Sequence, residues 1–66
     1  MNVITFRVLN RYGLQDYNTL PKAKEKAQTE DKIQFVVGGL TVISPVKRKY
    51  ATPSWAFKCY LKAGIG

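Results

Sequence analysis

Lys32-Ile33-Gln34-Phe35-Val36-Val37-Gly38-Gly39-Leu40-Thr41-Val42-Ile43-Ser44 places two apolar runs on either side of a glycine pair. This is a strong hairpin signal, because the tight two-residue turn between twisted strands needs positive φ, which glycine adopts without strain. Such a turn also sets the register. Val37 falls opposite Leu40, Phe35 opposite Val42, and Ile33 opposite Ser44. Those six share one face, and Gln34, Val36, Thr41 and Ile43 share the other. The first face is the more apolar, as a sheet covered on one side requires. Pro45 has no N–H to offer a ladder, so it ends the strand or marks an edge.

On the N-terminal side, residues 3–9 are β-branched and aromatic with period-two character, and read as a strand. Ile4, Phe6 and Val8 face a core; Thr5 and Arg7 face outward. Asn10-Arg11-Tyr12-Gly13 follows as a turn, with Gly13 suited to positive φ. Residues 14–17 either return as a short second strand or stay in the loop. Asn18-Thr19-Leu20-Pro21 is a helix start, since Asn or Thr caps free N–H groups and Pro fits the first turn. The helix is expected over 20–30. Its apolar stripe, Leu20, Ala23 and Ala27, is narrow and small, which suits close packing on a sheet. Its charges oppose its own dipole: Lys22, Lys24 and Lys26 lie early, Glu30 and Asp31 late. Tertiary packing must hold it.

On the C-terminal side, residues 46–53 read as an exposed loop or ragged edge carrying Lys47-Arg48-Lys49-Tyr50. Residues 54–62 alternate, with Trp55, Phe57, Cys59 and Leu61 one way and Ala56, Lys58, Tyr60 and Lys62 the other. They are expected as the last strand. Residues 63–66 make a short mobile tail. The fold class is α+β, a single small domain over 1–66. One helix packs on one face of a mostly antiparallel sheet of three to five strands, in β-α-β-β-β order. A β-grasp arrangement is the rival topology. The expected core is Ile4, Phe6, Val8, Leu20, Ala23, Ala27, Ile33, Phe35, Val37, Leu40, Val42, Trp55, Phe57, Cys59 and Leu61.

Composition narrows the function. The chain has 66 residues, eleven Lys and Arg against four Asp and Glu, no His, and a net charge of +7. No stretch approaches the ~18 apolar residues of a spanning helix. The start of the chain lacks a secretory layout, and one cysteine cannot close an internal disulfide, so a reducing, cytoplasmic setting is expected. A core this small rarely supplies more than about 3–5 kcal/mol of net stability, so the domain must pack well, dimerise or be stabilised by what it binds. Catalysis finds little to work with. There is no histidine, Cys59 has no base near it in sequence, and the carboxylates do not pair. Glu30 and Asp31 are expected to be solvated. No metal or cofactor is expected, and the chain is read as a non-enzyme.

Charge is distributed unevenly. Residues 1–31 hold five cations and all four acids; residues 32–66 hold six cations and no acid. A half-chain without a carboxylate repels itself until an anion or acidic partner sits there. Lys47, Arg48, Lys49 and Tyr50, with Lys58, Tyr60 and Lys62 on the outward sheet face and Arg7 beside them, form the candidate binding surface. In size and layout the chain looks like the short proteins that phages and mobile elements make against host polymerases or CRISPR complexes. That resemblance implies a non-catalytic inhibitor, docking on an acidic protein or nucleoprotein complex in the host cytoplasm. Direct, weakly selective binding of DNA or RNA is the alternative. Against it, the chain lacks RNP-type aromatics on adjacent strands, a helix-turn-helix pair, zinc ligands and a KH loop. A dimer through edge strands is a third possibility.

Overall fold

The computed structural model describes residues 3–38, 40–41 and 43–64. Two long strands carry the sheet. Strand β1 (Ile4–Asn10) turns through Arg11-Tyr12 into β2 (Gly13–Tyr17), so residues 14–17 do form a strand. Gly13 sits at φ +127°, which supports the turn reading, and Asn10 Oδ1 accepts from the Tyr12 N–H at 2.9 Å. Helix α1 (Leu20–Lys26) follows, then β3 (Lys32–Val37), which pairs with β1 antiparallel: Phe6 opposite Phe35, Val8 opposite Ile33. Short strands β4 (Leu40–Thr41) and β5 (Val46–Lys47) both pair with the other edge of β3. A single 3-10 turn, Arg48–Tyr50, leads to helix α2 (Pro53–Lys62). The result is an antiparallel α+β domain with spatial order β2-β1-β3-β4 and β1-β2-α1-β3-β4-β5-α2 chain order.

The glycine-pair hairpin begins as the sequence predicts. Gly38 has φ +57°, Val37 faces Leu40 and Val36 faces Thr41. The register then slips by two: Ile33 faces Val46, not Ser44. Pro45 cannot join the ladder, so the chain bulges there. Gln34 fills the gap, its Nε2 donating to the Ile43 carbonyl at 3.0 Å. The same bulge turns Ile43 to pack against the main core instead of the second face. The expected Phe35–Val42 pair lies outside the described residues.

Helix α1 stops four residues short of the expected Glu30. Past Ala27 the sequence has nothing apolar to bury until Ile33. Asp31 takes over: its Oδ2 accepts from the Gln28 N–H at 3.0 Å and from Asn10 Nδ2 at 3.3 Å, while its own N–H donates to Gln28 O. Asp31 is 6% exposed, which corrects the expectation that it is solvated. A carboxylate buried here is tolerated because hydrogen bonds replace its water.

The larger correction is residues 54–62, which form α2 and not a strand. Thr52 Oγ1 accepts from the Trp55 N–H at 3.2 Å and Pro53 stands in the first turn. That cap starts a helix as Thr19 and Pro21 start α1. Helical spacing brings Ala56, Cys59, Tyr60 and Ala63 to the core, and takes Phe57 and Leu61 out of it.

The core lies between one sheet face and the two helices. Helix α1 packs over β1 and β2. Helix α2 adds Trp55 against Phe6, with ring centroids 6.4 Å apart, and Tyr60 edge-on to Phe35 at 5.1 Å. Phe6 and Phe35 meet edge to face at 5.6 Å. Phe35 and Ile33 are fully buried; each such side chain contributes about 1.5–3 kcal/mol. Ala23 and Ala51, also fully buried, let the backbones approach closely. Ala63 packs on this core, and its N–H donates to Cys59 O.

Candidate functional site

Between α1 and α2 runs an open groove of about 660 Å³. Phe6 from β1 and Leu20 from α1 form its floor. Pro21 and Lys24 line the α1 wall; Pro53, Ala56, Phe57 and Tyr60 line the α2 wall. The walls exist because both helices start with a proline in the first turn and pack small residues inward, which leaves larger side chains at the shoulders. Phe57 is 62% exposed and Leu61 55%. They are four residues apart, so they stack along one flank of α2, next to Tyr60. Lys58 and Lys62 are the next row outward, also four apart and both exposed.

The electrostatics of this face are one-sided. The two helices carry five lysines (Lys22, Lys24, Lys26, Lys58, Lys62) and one acid, Glu25. Lys24 is half-buried in the groove wall. Lys58 and Lys62 repel one another across one turn. Cys59 lies beneath them in the core; burial pushes its thiol pKa up, against the smaller opposing pull of Lys62. A thiol so placed is a packing residue, as the sequence suggests.

The basic residues singled out from the sequence do not gather into one patch. Lys58, Tyr60 and Lys62 stand on α2, not on the outward sheet face. Tyr60 is half-buried, its ring committed to Phe35. Arg48 is a structural residue: its Nε donates to the Lys24 carbonyl at 2.7 Å, satisfying the C-terminal end of α1. Its own N–H donates to Asp31 O. Arg7 is paired with Asp16 across the β1–β2 ladder, at 2.7 Å (Nε to Oδ1) and 3.2 Å (Nη2 to Oδ2). That hydrogen bond, against weak desolvation, holds the Asp16 carboxyl below the usual range and raises Arg7 further. Lys47 lies on the same sheet face as Arg7, the one turned away from the helices, directly opposite Lys32; Val36 and Gln34 on that face are buried. Tyr50 is exposed beneath the Lys49 ammonium, which sits 5.0 Å from its ring centroid.

Two surfaces therefore replace one. The helix face carries an apolar groove with Lys24 in one wall, and Lys58 and Lys62 stand on the far flank of α2. The sheet face carries the Lys32–Lys47 pair, with Leu9 and exposed Leu14 in the same cross-strand row. Phe57 and Leu61, the exposed anchors of the first surface, are placed in the core by the alternation reading. The Thr52-Pro53 cap signal was the clue that could have put them outside. Among the described residues no group of three or more His, Cys, Asp or Glu stands close enough to hold a metal ion. No described helix is long and apolar enough to cross a membrane. No protein-family model matches the chain, and neither a curated protein nor a solved structure matches it.

Proposed function

We propose that this chain is a small non-catalytic binding protein that docks on a larger acidic protein or nucleoprotein complex and modulates or inhibits it. One observation carries the reading: Phe57 and Leu61 stand exposed beside an apolar groove, with Lys58 and Lys62 as their neighbours and no acid anywhere on α2. Large apolar side chains left uncovered together mark interaction surfaces, and aromatics with cations are the residue types that dominate binding energy. A phage-type inhibitor of a host polymerase or CRISPR complex fits this description in size and charge.

Direct nucleic-acid binding is the second reading, and a different observation favours it. Lys32 and Lys47 face each other across β3 and β5 with like charge, an arrangement that is destabilising until an anion bridges it. Tyr50 nearby offers a stacking plane.

Fluorescence anisotropy separates the two. Duplex DNA, single-stranded DNA and structured RNA are titrated at low and near-physiological salt. The first reading expects binding at low salt only, as any strongly cationic chain gives. Micromolar or tighter binding that survives the higher salt, and falls in equal steps with Lys32→Ala and Lys47→Ala, overturns it in favour of nucleic acid. Tyr60 is a poor probe of docking, because its removal also uncovers Phe35. Phe57 is the better one.

A further inference from the structure

We propose that the free edge of β2 pairs with β2 of a second copy of this chain, antiparallel about a two-fold axis at Gln15, and so joins two sheets into one. This surface is separate from the groove between the helices. Among the described residues β2 pairs with β1 alone and ends the sheet. The ladder fixes which of its groups are free. The Gly38 N–H donates to Val3 O, so odd-numbered residues of β1 bond toward β3 and even-numbered ones toward β2. Gly13, Gln15 and Tyr17 face those even-numbered residues. Leu14 and Asp16 therefore turn their N–H and C=O groups outward, on a strand exposed from Gly13 to Asp16. Strand edges are ordinarily blunted by shortness, lysine, proline or a bulge. The opposite edge uses all of these: β4 and β5 are two residues each, the chain bulges at Pro45 between them, and Lys47 lies in β5. Strand β2 uses none.

Register and charge select a second copy as the occupant. With Gln15 opposite Gln15, the whole of β2 is paired. Leu14 and Asp16 exchange their free N–H and C=O groups with Asp16 and Leu14 of the other copy. Gly13 falls opposite the other copy's Tyr17, and a Cβ at Gly13 would meet nothing within 4 Å, so the facing ring has room. An axis at Asp16 would set two carboxylates face to face, and one at Leu14 would set Tyr17 against the Arg11 turn. A net charge of +7 on each copy opposes contact elsewhere, but β2 holds no Lys or Arg, and its one acid, Asp16, is already paired with Arg7.

Sedimentation velocity of the full chain over a concentration series, at low and near-physiological salt, is the test. The contact is small, so a monomer–dimer equilibrium with a dissociation constant in the high-micromolar range is expected. It should tighten as salt screens the mutual repulsion. Because residue 15 meets itself, Gln15→Lys and Gln15→Glu should each weaken the dimer by about two- to fivefold, and an equimolar mixture of the two should restore it. Gln15 is exposed, so both variants keep the parent melting curve. Isotope-filtered NOEs between labelled and unlabelled chains should run from Gly13 to the Tyr17 ring. A chain that stays monomeric at millimolar concentration and near-physiological salt overturns the proposal. So does a dimer that Gln15→Glu tightens, which is general charge attraction and not a residue facing itself. A dimer whose intermolecular NOEs involve Phe57 and the groove overturns it as well.

Discussion

Helices α1 and α2 both begin at a threonine cap with proline in the first turn, and both bury small residues, yet they show solvent different things. Helix α1 buries Leu20 and Ala23 and presents lysines. Helix α2 buries Ala56 and Cys59 and presents Phe57 and Leu61. The cap sets where a helix starts, but the spacing of small residues sets which side faces in. In α1 the small residues leave charged side chains and Pro21 for the outside, an ordinary solvated face. In α2 they consume the inward positions and push large apolar ones out, which is why α2 has a surface in search of a partner.

The sharpest way to break this comparison is to place a charge on each inward stripe. Ala23→Asp buries an unpaired carboxylate at a fully buried site. The cost, several kcal/mol, matches or exceeds the whole stability of so small a domain. Circular dichroism should show an unfolded chain at room temperature. Ala56→Asp, slightly more open beside the groove, should be severe but milder. Phe57→Asp, by contrast, should move stability by no more than about 0.5 kcal/mol. A destabilisation by Phe57→Asp as large as that by Ala56→Asp would mean that α2 faces the other way.

The same two helices show how far the sequence could be read. The first hairpin arm and its turn, the β1 alternation, the Asn10–Gly13 turn and the α1 cap carry local signals that agree with their periodicity and appear in the fold, while the second arm keeps its predicted register only at Leu40 and Thr41. Residues 54–62 carry two signals that conflict. Trp55, Phe57, Cys59 and Leu61 alternate as a strand would, while Ala56, Cys59, Tyr60 and Ala63 repeat as a helix would. Tertiary context decides, through Thr52 Oγ1 on Trp55 N and Tyr60 on Phe35. The candidate surface inherited the error. Lys58 and Lys62 are exposed as expected, but they stand on a helix and do not pave a sheet. Arg48 and Arg7 were unreadable in a different way, because their partners, Lys24 O and Asp16, are 24 and 9 residues away in sequence.

Asp31 distinguishes the two helix ends, and its removal is the next largest effect. It closes the chain after α1, whereas α2 ends through Ala63 donating to Cys59 O. Asp31→Ala leaves the Gln28 N–H and Asn10 Nδ2 without their acceptor and should cost about 1–3 kcal/mol. Asp31→Asn should recover part of it. Chemical denaturation measures both. Equal loss with Ala and Asn would mean that the charge, not the hydrogen bonds, is what holds the turn.

Capping is a smaller probe of the same contrast. Thr19→Ala and Thr52→Ala should each cost about 1 kcal/mol. The Thr52 effect should be the greater, because its bond to Trp55 N is 3.2 Å against 3.4 Å for Thr19 to Lys22 N, and because α1 is also held by Arg48 at its other end. Denaturant midpoints at constant slope are the readout. The reverse order would show that α1 is the more dependent on its start.

The smallest expected effect lies away from both helices, in the Arg7–Asp16 pair on the other sheet face. The Arg7 hydrogen bond holds the Asp16 carboxyl below its unfolded value. The stability this contributes is therefore fully present above the ordinary carboxylate pKa, and is lost as pH falls through the depressed one. Asp16→Asn should remove that acid-side slope and leave stability near neutral pH only slightly reduced. Because the pair is exposed, added salt should shrink the wild-type slope toward that of the variant. A slope that persists in Asp16→Asn would place the acid sensitivity on another carboxylate.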